Sequence, residues 1–145
     1  MNPSPRSLVD AAKEYFEQVD AGRLPDALFA PDIEFYFPKF GVGHGLAELQ
    51  SCARGLAEAG YKMAHHHERL RYFVSDSAVI VEGSTYGTDG EGKTWIGGET
   101  PGGRFCSVFE FTPTGLIKRM YIYLDPDYAS RDKDGFLWRR SHQLW

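Results

Sequence analysis

Cysteine is scarce: Cys52 and Cys106 are the only two in 145 residues. They allow one disulfide or two reduced, buried thiols, a usage that fits a cytoplasmic protein. Long apolar runs are missing as well. None approaches the roughly 18–20 residues of a membrane span, and the opening MNPSPRSLVDAAKEYF lacks the apolar core of a signal peptide. Positive charge is in deficit, with a net charge of −4 and no basic stripe beyond the pair Arg139-Arg140, which argues against a nucleic-acid partner. There is no Gly-x-Ser-x-Gly elbow for nucleophilic catalysis. Gly41, Gly43 and Gly45 are too few and follow the wrong rhythm for a phosphate-binding loop. No internal repeat or low-complexity segment divides the chain.

What is abundant is aromatic. Phe, Tyr and Trp number 10, 8 and 3 and make up 14% of the residues. Rings in that number line something large, either a core or a pocket for an apolar ligand. The remaining composition, 42% hydrophobic and 25% charged, is that of a single soluble domain over residues 1–145.

Apolar residues at 8, 12, 15, 16 and 19 form one face of a helix over 7–22, with Ser7 and Asp10 as its start and Gly22 as its stop. A helical turn is expected at 25–30 and a strand at 33–37. A glycine-rich link follows at 41–45, and a second helix runs from Leu46 to Gly60. Four strands are expected at 62–74, 78–88, 95–111 and 116–125, joined by short turns and therefore antiparallel. Pro101-Gly-Gly103 reads as a bulge, bend or break in the third of them. Residues 126–145, with Phe136, Leu137, Trp138, Leu144 and Trp145, form a tail that can dock as a short helix or reach a partner. Helices followed by an antiparallel meander make an α+β protein.

The stretches EYFEQVDAGRLPDALFAPDIEFYFP, GHGLAELQ, SAVIVEGSTYGT and PGGRFCSVFEFTPTGLIKRMYIYLDPDY cover about residues 7–128. In order and spacing they resemble the SnoaL-like branch of the nuclear transport factor two-like superfamily. The resemblance implies a strongly curved antiparallel sheet closed by helices into a cone with an apolar pocket, with 128–145 as a C-terminal tail. It also implies a homodimer that binds a hydrophobic small molecule and performs acid/base chemistry without a cofactor, of polyketide-cyclase, isomerase or dehydratase type. A non-catalytic ligand-binding or dimerisation module is the alternative, because this fold does not fix a function. Three family signatures are absent. Ketosteroid isomerases carry a carboxylate base where this chain has Phe37 and a second acid where it has Ser107. Limonene-type epoxide hydrolases carry an Asp where it has Ile122.

The triple histidine in MAHHHERLRYF invites a metal reading. On a strand, His65 and His67 would share one face and His66 the other. A cupin-type site would then need a Glu about four residues on and a further His from a second strand. Glu68 is adjacent and on the wrong face, and Cys106 stands where the further His would be, so no metal is expected. The histidines are either partly exposed strand residues or part of a dimer surface, or they do acid/base work: His65 and His67 if their face looks inward, His66 if the other does. Glu82 interrupts the apolar run Val79-Ile-Val-Glu-Gly83, where a carboxylate needs a partner; it is either an ion-pair residue, with Arg119 or Arg71, or a pocket acid. On the last strand Arg119, Tyr121, Tyr123 and Asp125 share a face, and Met120, Ile122 and Leu124 the other. Asp125 is the leading acid/base candidate, with Glu82, His65 or His67 as its partner. Tyr121 and Tyr123 are candidate substrate-binding donors. Tyr15 belongs to the apolar stripe of the first helix, and relatives use a Tyr of this helix in catalysis. Tyr36, His44 and Trp95 complete the substrate-binding candidates. A cone lined only by Phe, Leu and Tyr, with Asp125 and Glu82 both outside, would exclude catalysis.

Overall fold

The structure is a computed structural model that describes residues 4–136. Helix α1 (Pro5–Asp20) starts two residues earlier than the 7–22 expected and ends two residues earlier. Ser4 is its N-cap, its side chain accepting from the Ser7 backbone N–H at 3.2 Å, and Pro5 takes the first helical position. Its buried face holds Leu8, Ala12, Tyr15 and Phe16. A 3-10 turn at Asp26–Leu28 leads into β1 (Phe29–Phe37) and β2 (Gly41–His44), then α2 (Gly45–Glu58). The rest is β3 (Lys62–His65), β4 (Arg71–Ser75), β5 (Ala78–Thr88), β6 (Thr94–Ile96), β7 (Arg104–Phe111), β8 (Ile117–Leu124) and the short α3 (Lys133–Phe136). The expectations for Leu137, Trp138, Leu144 and Trp145 lie outside the described residues.

The sheet runs β2-β1-β8-β7-β5-β3, with β4 and β6 also paired to β5. It is mixed rather than antiparallel: β1 and β8 run parallel, and the other pairs antiparallel. Parallel pairing is available here because the whole meander separates the two strands in sequence. Gly41–His44 is a strand rather than a free link.

Curvature comes from β5, which changes both neighbours halfway along. Residues 78–82 lie beside β4 and 78–84 beside β7, while 85–88 lie beside β3 and 86–88 beside β6. At Gly87 the crossing strand comes so close that a Cβ would collide with the Lys62 carbonyl oxygen. The same change of neighbour breaks the strand expected over 62–74. After His65 a 3-10 turn at His67–Arg69 intervenes before β4 begins. The segment at 95–111 likewise divides into β6 and β7 at Pro101-Gly-Gly103.

Helices α1 and α2 cover the concave face. Ile33, Phe35 and Phe37 from β1, Val79 and Val81 from β5, and Phe105, Phe109 and Phe111 from β7 point to it and are all buried. Phe109, fully buried, meets Tyr15 and Phe16 edge-on at 5.4 and 5.8 Å. Each such side chain contributes roughly 1.5–3 kcal/mol by burial. Cys52 sits on the concave side, on α2, and Cys106 on the opposite face of β7. Both are free thiols, which resolves the disulfide alternative.

Candidate functional site

Between the helices and the concave face lies a cavity of about 380 Å³. Most of its wall is apolar: Phe16 and Val19 from α1, Leu49 and Leu56 from α2, Phe35 and Phe37 from β1, Phe105 from β7, and Met120, Ile122 and Leu124 from β8. Polar groups enter it at few points, chiefly Tyr15, Asp20, Cys52, His65, Thr85 and Tyr128.

Asp20 and His65 meet at this wall. Asp20 ends α1, four residues beyond Phe16 and so on the same helical face. His65 ends β3 opposite Thr85, which also lines the cavity. The Asp20 carboxylate accepts three hydrogen bonds: from the His65 backbone N–H at 2.9 Å, from His65 Nδ1 at 2.7 Å and from His67 Nε2 at 2.7 Å. Burial alone would raise the Asp20 carboxyl. The hydrogen bonds and charge of His65, with the bond from His67, outweigh it and hold the carboxyl below its ordinary value. A carboxylate at a helix C-terminus faces the negative end of the dipole, so these donors also answer an unfavourable position.

The His65 side chain is 10% exposed, against 43% for His67. Its ring packs between Phe16, at 4.7 Å, and Phe105, at 5.1 Å, both cavity residues. With Nδ1 committed to Asp20, the other ring nitrogen, Nε2, has no protein partner among the described residues. The carboxylate therefore fixes the orientation of the ring through Nδ1 and leaves Nε2 unbonded. Tyr15 joins them in the cavity wall. Burial, then the nearby Cys52 and Asp20, push its phenol well above the ordinary value, so it is a hydrogen-bond donor at neutral pH. Burial also pushes the Cys52 thiol up to about 11.

His66 points elsewhere, its Nδ1 2.9 Å from Ser84 Oγ and its ring against Tyr86. The histidine run is therefore split two and one. The agent is the 3-10 turn that folds His67 back onto Asp20, rather than strand alternation. No grouping of three or more His, Cys, Asp or Glu among the described residues is arranged to hold a metal ion.

The other sequence candidates lie away from the cavity. Glu82 is on the convex face of β5, with its side chain 60% exposed and 3.3 Å from Arg71. Asp125 follows β8 and caps a turn, accepting from the Asp127 backbone N–H at 2.9 Å. Tyr36, Tyr121 and Tyr123 form one patch on the convex face, their rings 5.7–6.3 Å apart, and the Tyr121 hydroxyl donates to Glu34 at 2.8 Å. The alternation expected on β8 holds. Its apolar side faces the cavity, because Met120, Ile122 and Leu124 gain by leaving water and the polar side does not. His44 is exposed at the N-cap of α2. Trp95 is buried behind the wall, donating to Thr85 Oγ1 at 3.0 Å. The condition that would exclude catalysis is met in one half only: Asp125 and Glu82 are outside, but Asp20 and His65 line the cavity. Asp20 was legible only as an acid on an apolar stripe. Tyr61 and Tyr128 carried no sequence signal beyond being aromatic.

Comparison with known proteins agrees with this geometry at the level of fold. The profile of the SnoaL-like domain matches residues 12–120. No curated protein matches the sequence. Among solved structures, a Xanthomonas campestris pv. campestris protein named provisionally as a polyketide cyclase superposes with a TM-score of 0.71 at 16% identity, over 83% of this chain and 92% of that one. An NTF2-like protein from Anabaena variabilis gives a TM-score of 0.69 at 18% identity, over 89% and 97%. One of unknown function from Burkholderia pseudomallei gives 0.67 at 20%, over 82% and 91%. With the profile spanning most of the chain, the protein belongs to the SnoaL-like domain family, and it shares its fold with these structures.

Proposed function

We propose that the protein binds a mainly apolar, ring-containing small molecule in its cavity and carries out acid/base chemistry on it with its own side chains, as a cyclase, isomerase or dehydratase. The observation that supports this most is that Asp20, His65 and Tyr15 all line a largely apolar cavity, with Asp20 bonded to His65. His65 Nε2 takes a proton from a carbon next to a carbonyl, and the electron pair moves to the carbonyl oxygen. The Tyr15 hydroxyl donates to that oxygen as charge develops. Asp20 holds the imidazolium, and His67, half-exposed on the same carboxylate, links the pair to solvent. The imidazolium proton returned to another carbon isomerises the substrate; given to a hydroxyl on the next carbon as its C–O bond breaks, it releases water; given to the oxygen of a second carbonyl as the enolate carbon attacks it, it closes a ring.

The test is exchange of the acidic C–H protons of 2-tetralone in D₂O. Wild-type protein should accelerate deuterium uptake, and His65→Gln should lose the acceleration while keeping its fold. Equal rates for the two proteins point to a binding module without catalysis.

The convex patch of Tyr36, Val42, Tyr121 and Tyr123 is the proposed contact with a second copy. Val42 and Tyr123 are 52% and 48% exposed, and the Arg119 guanidinium lies 3.5 Å over the Tyr121 ring. Light scattering should give a dimer mass that Tyr123→Arg converts to the monomer mass. An unchanged mass sinks this contact.

A further inference from the structure

The Tyr128 hydroxyl is the one buried side-chain polar atom left without a hydrogen-bond partner among the described residues. The residue as a whole is 3% exposed and lines the cavity. A buried hydroxyl in that state is costly, and native chains rarely keep one without a use.

Its position is fixed from every side. The ring stacks on Trp95 at 4.9 Å and 23° and meets Tyr61 edge-on at 5.4 Å. Its backbone carbonyl presses so closely on Gly102 that no Cβ would fit there. Three residues later, Arg131 ties the segment to Asp89 at 2.6 Å and Glu91 at 2.7 Å. The hydroxyl oxygen itself is closed to water-sized molecules here, so a partner reaches it only when a bound molecule moves the wall around it.

From this geometry we infer that Tyr128 is a ligand-binding residue whose hydroxyl bonds an uncharged oxygen, a hydroxyl or carbonyl, of the molecule in the cavity. The uncharged form follows from the surroundings. Tyr61, 5.4 Å from its ring, and Tyr15 and Cys52 on the same cavity bring phenols and a thiol rather than a cation to Tyr128. The cation on the cavity wall, Arg23, is at the α1 end and donates to Gln18 at 2.8 Å. A carboxylate brought to Tyr128 would lose its water with no cation beside it on the cavity wall; the Lys39 ammonium, 5.8 Å over the Tyr61 ring, is not among the cavity-lining groups. This inference rests on the cavity being a ligand site, as proposed above, but not on the proton transfer at His65. It adds to the substrate class an uncharged oxygen that meets Tyr128.

The test uses naphthalene, 2-naphthol and 2-naphthoate, which share one ring system and do not react. Binding is followed by NMR at the Trp95 indole N–H, in wild type and Tyr128→Phe. The affinity ratio of 2-naphthol to naphthalene should fall about 5- to 30-fold in Tyr128→Phe, with naphthalene itself little changed and 2-naphthoate weakest throughout. Without ligand, Tyr128→Phe should melt at or above the wild-type temperature, since it removes an unsatisfied group. An unchanged ratio, tighter binding of 2-naphthoate than of 2-naphthol, or a melting temperature lowered by several degrees would each overturn the inference. If naphthalene binds and the ratio is unchanged, only the Tyr128 role fails. If none of the three binds, the cavity reading falls with it.

Discussion

Replacing Asp20 by alanine removes the acceptor of three hydrogen bonds at once. Two of them come from His65, whose side chain is 10% exposed, and one from His67, whose side chain is 43% exposed. A hydrogen bond to a charged group contributes about 1.5–3 kcal/mol when buried, and an exposed one under about 1 kcal/mol. Against this, the variant relieves an anion at a helix C-terminus, worth about 0.3–1 kcal/mol, and water can reach the freed donors from the cavity. The net loss is about 2–4 kcal/mol. At roughly 2–4 °C per kcal/mol for a domain near this size, Asp20→Ala should melt about 5–15 °C below wild type at pH 7. The pH dependence has a definite sign. Asp20 titrates below its ordinary 3.8 in the folded protein, so its contribution is complete above that value and is lost as pH falls through the lower folded value. Melting curves by circular dichroism from pH 7 down into the acid range should show the gap between the two proteins closing there. A gap under about 1 °C at pH 7, less than one weak surface pair supplies, or a gap that stays constant into acid, would refute the reasoning.

Phe109→Ala should destabilise by about 3–5 kcal/mol in urea melts, because the ring is fully buried between Tyr15, Phe16 and Phe111; a loss below about 1 kcal/mol would mean the aromatic cluster is not the core. Gly87→Ala sets a methyl against the Lys62 carbonyl and should cost more than about 2 kcal/mol, with the loss of protection in hydrogen exchange concentrated in β3 and β5. Normal stability there would show that the strand crossing is looser than described. Glu82→Gln and Asp125→Asn, both outside the cavity, should leave 2-tetralone exchange within about twofold of wild type, as expected of groups that do not touch the reacting atoms. A tenfold loss in either would return the chemistry to the convex face.

Much of this fold was open to reading in the sequence. The stripe from Leu8 to Val19 marks α1 because one helical face must leave water, and the alternation from Lys118 to Asp125 marks β8 for the same reason on a two-residue period. Sequence could not say which side of β8 looks inward. Tyr121, Tyr123 and Asp125 drew attention because they carry chemistry, yet burial selects Met120, Ile122 and Leu124. The break after His65 was equally hidden. Nothing in MAHHHERLRYF is a turn signal; the turn exists because β5 exchanges β4 for β3, a decision made by residues 78–88. Asp20 meets His65 across 45 positions, and no local rhythm encodes that. Its only trace is a carboxylate on an apolar stripe, at the helix end where a carboxylate is least welcome.

His65 is the proposed base that a bound molecule meets. A crystal structure of the wild-type protein with 2-tetralone addresses that directly. The ketone should lie in the cavity with its acidic carbon about 3–3.5 Å from His65 Nε2, the distance of a reactive pose, while Nδ1 keeps its bond to Asp20. A ligand bound outside the cavity, or one inside it with the acidic carbon turned away from His65, would contradict the account.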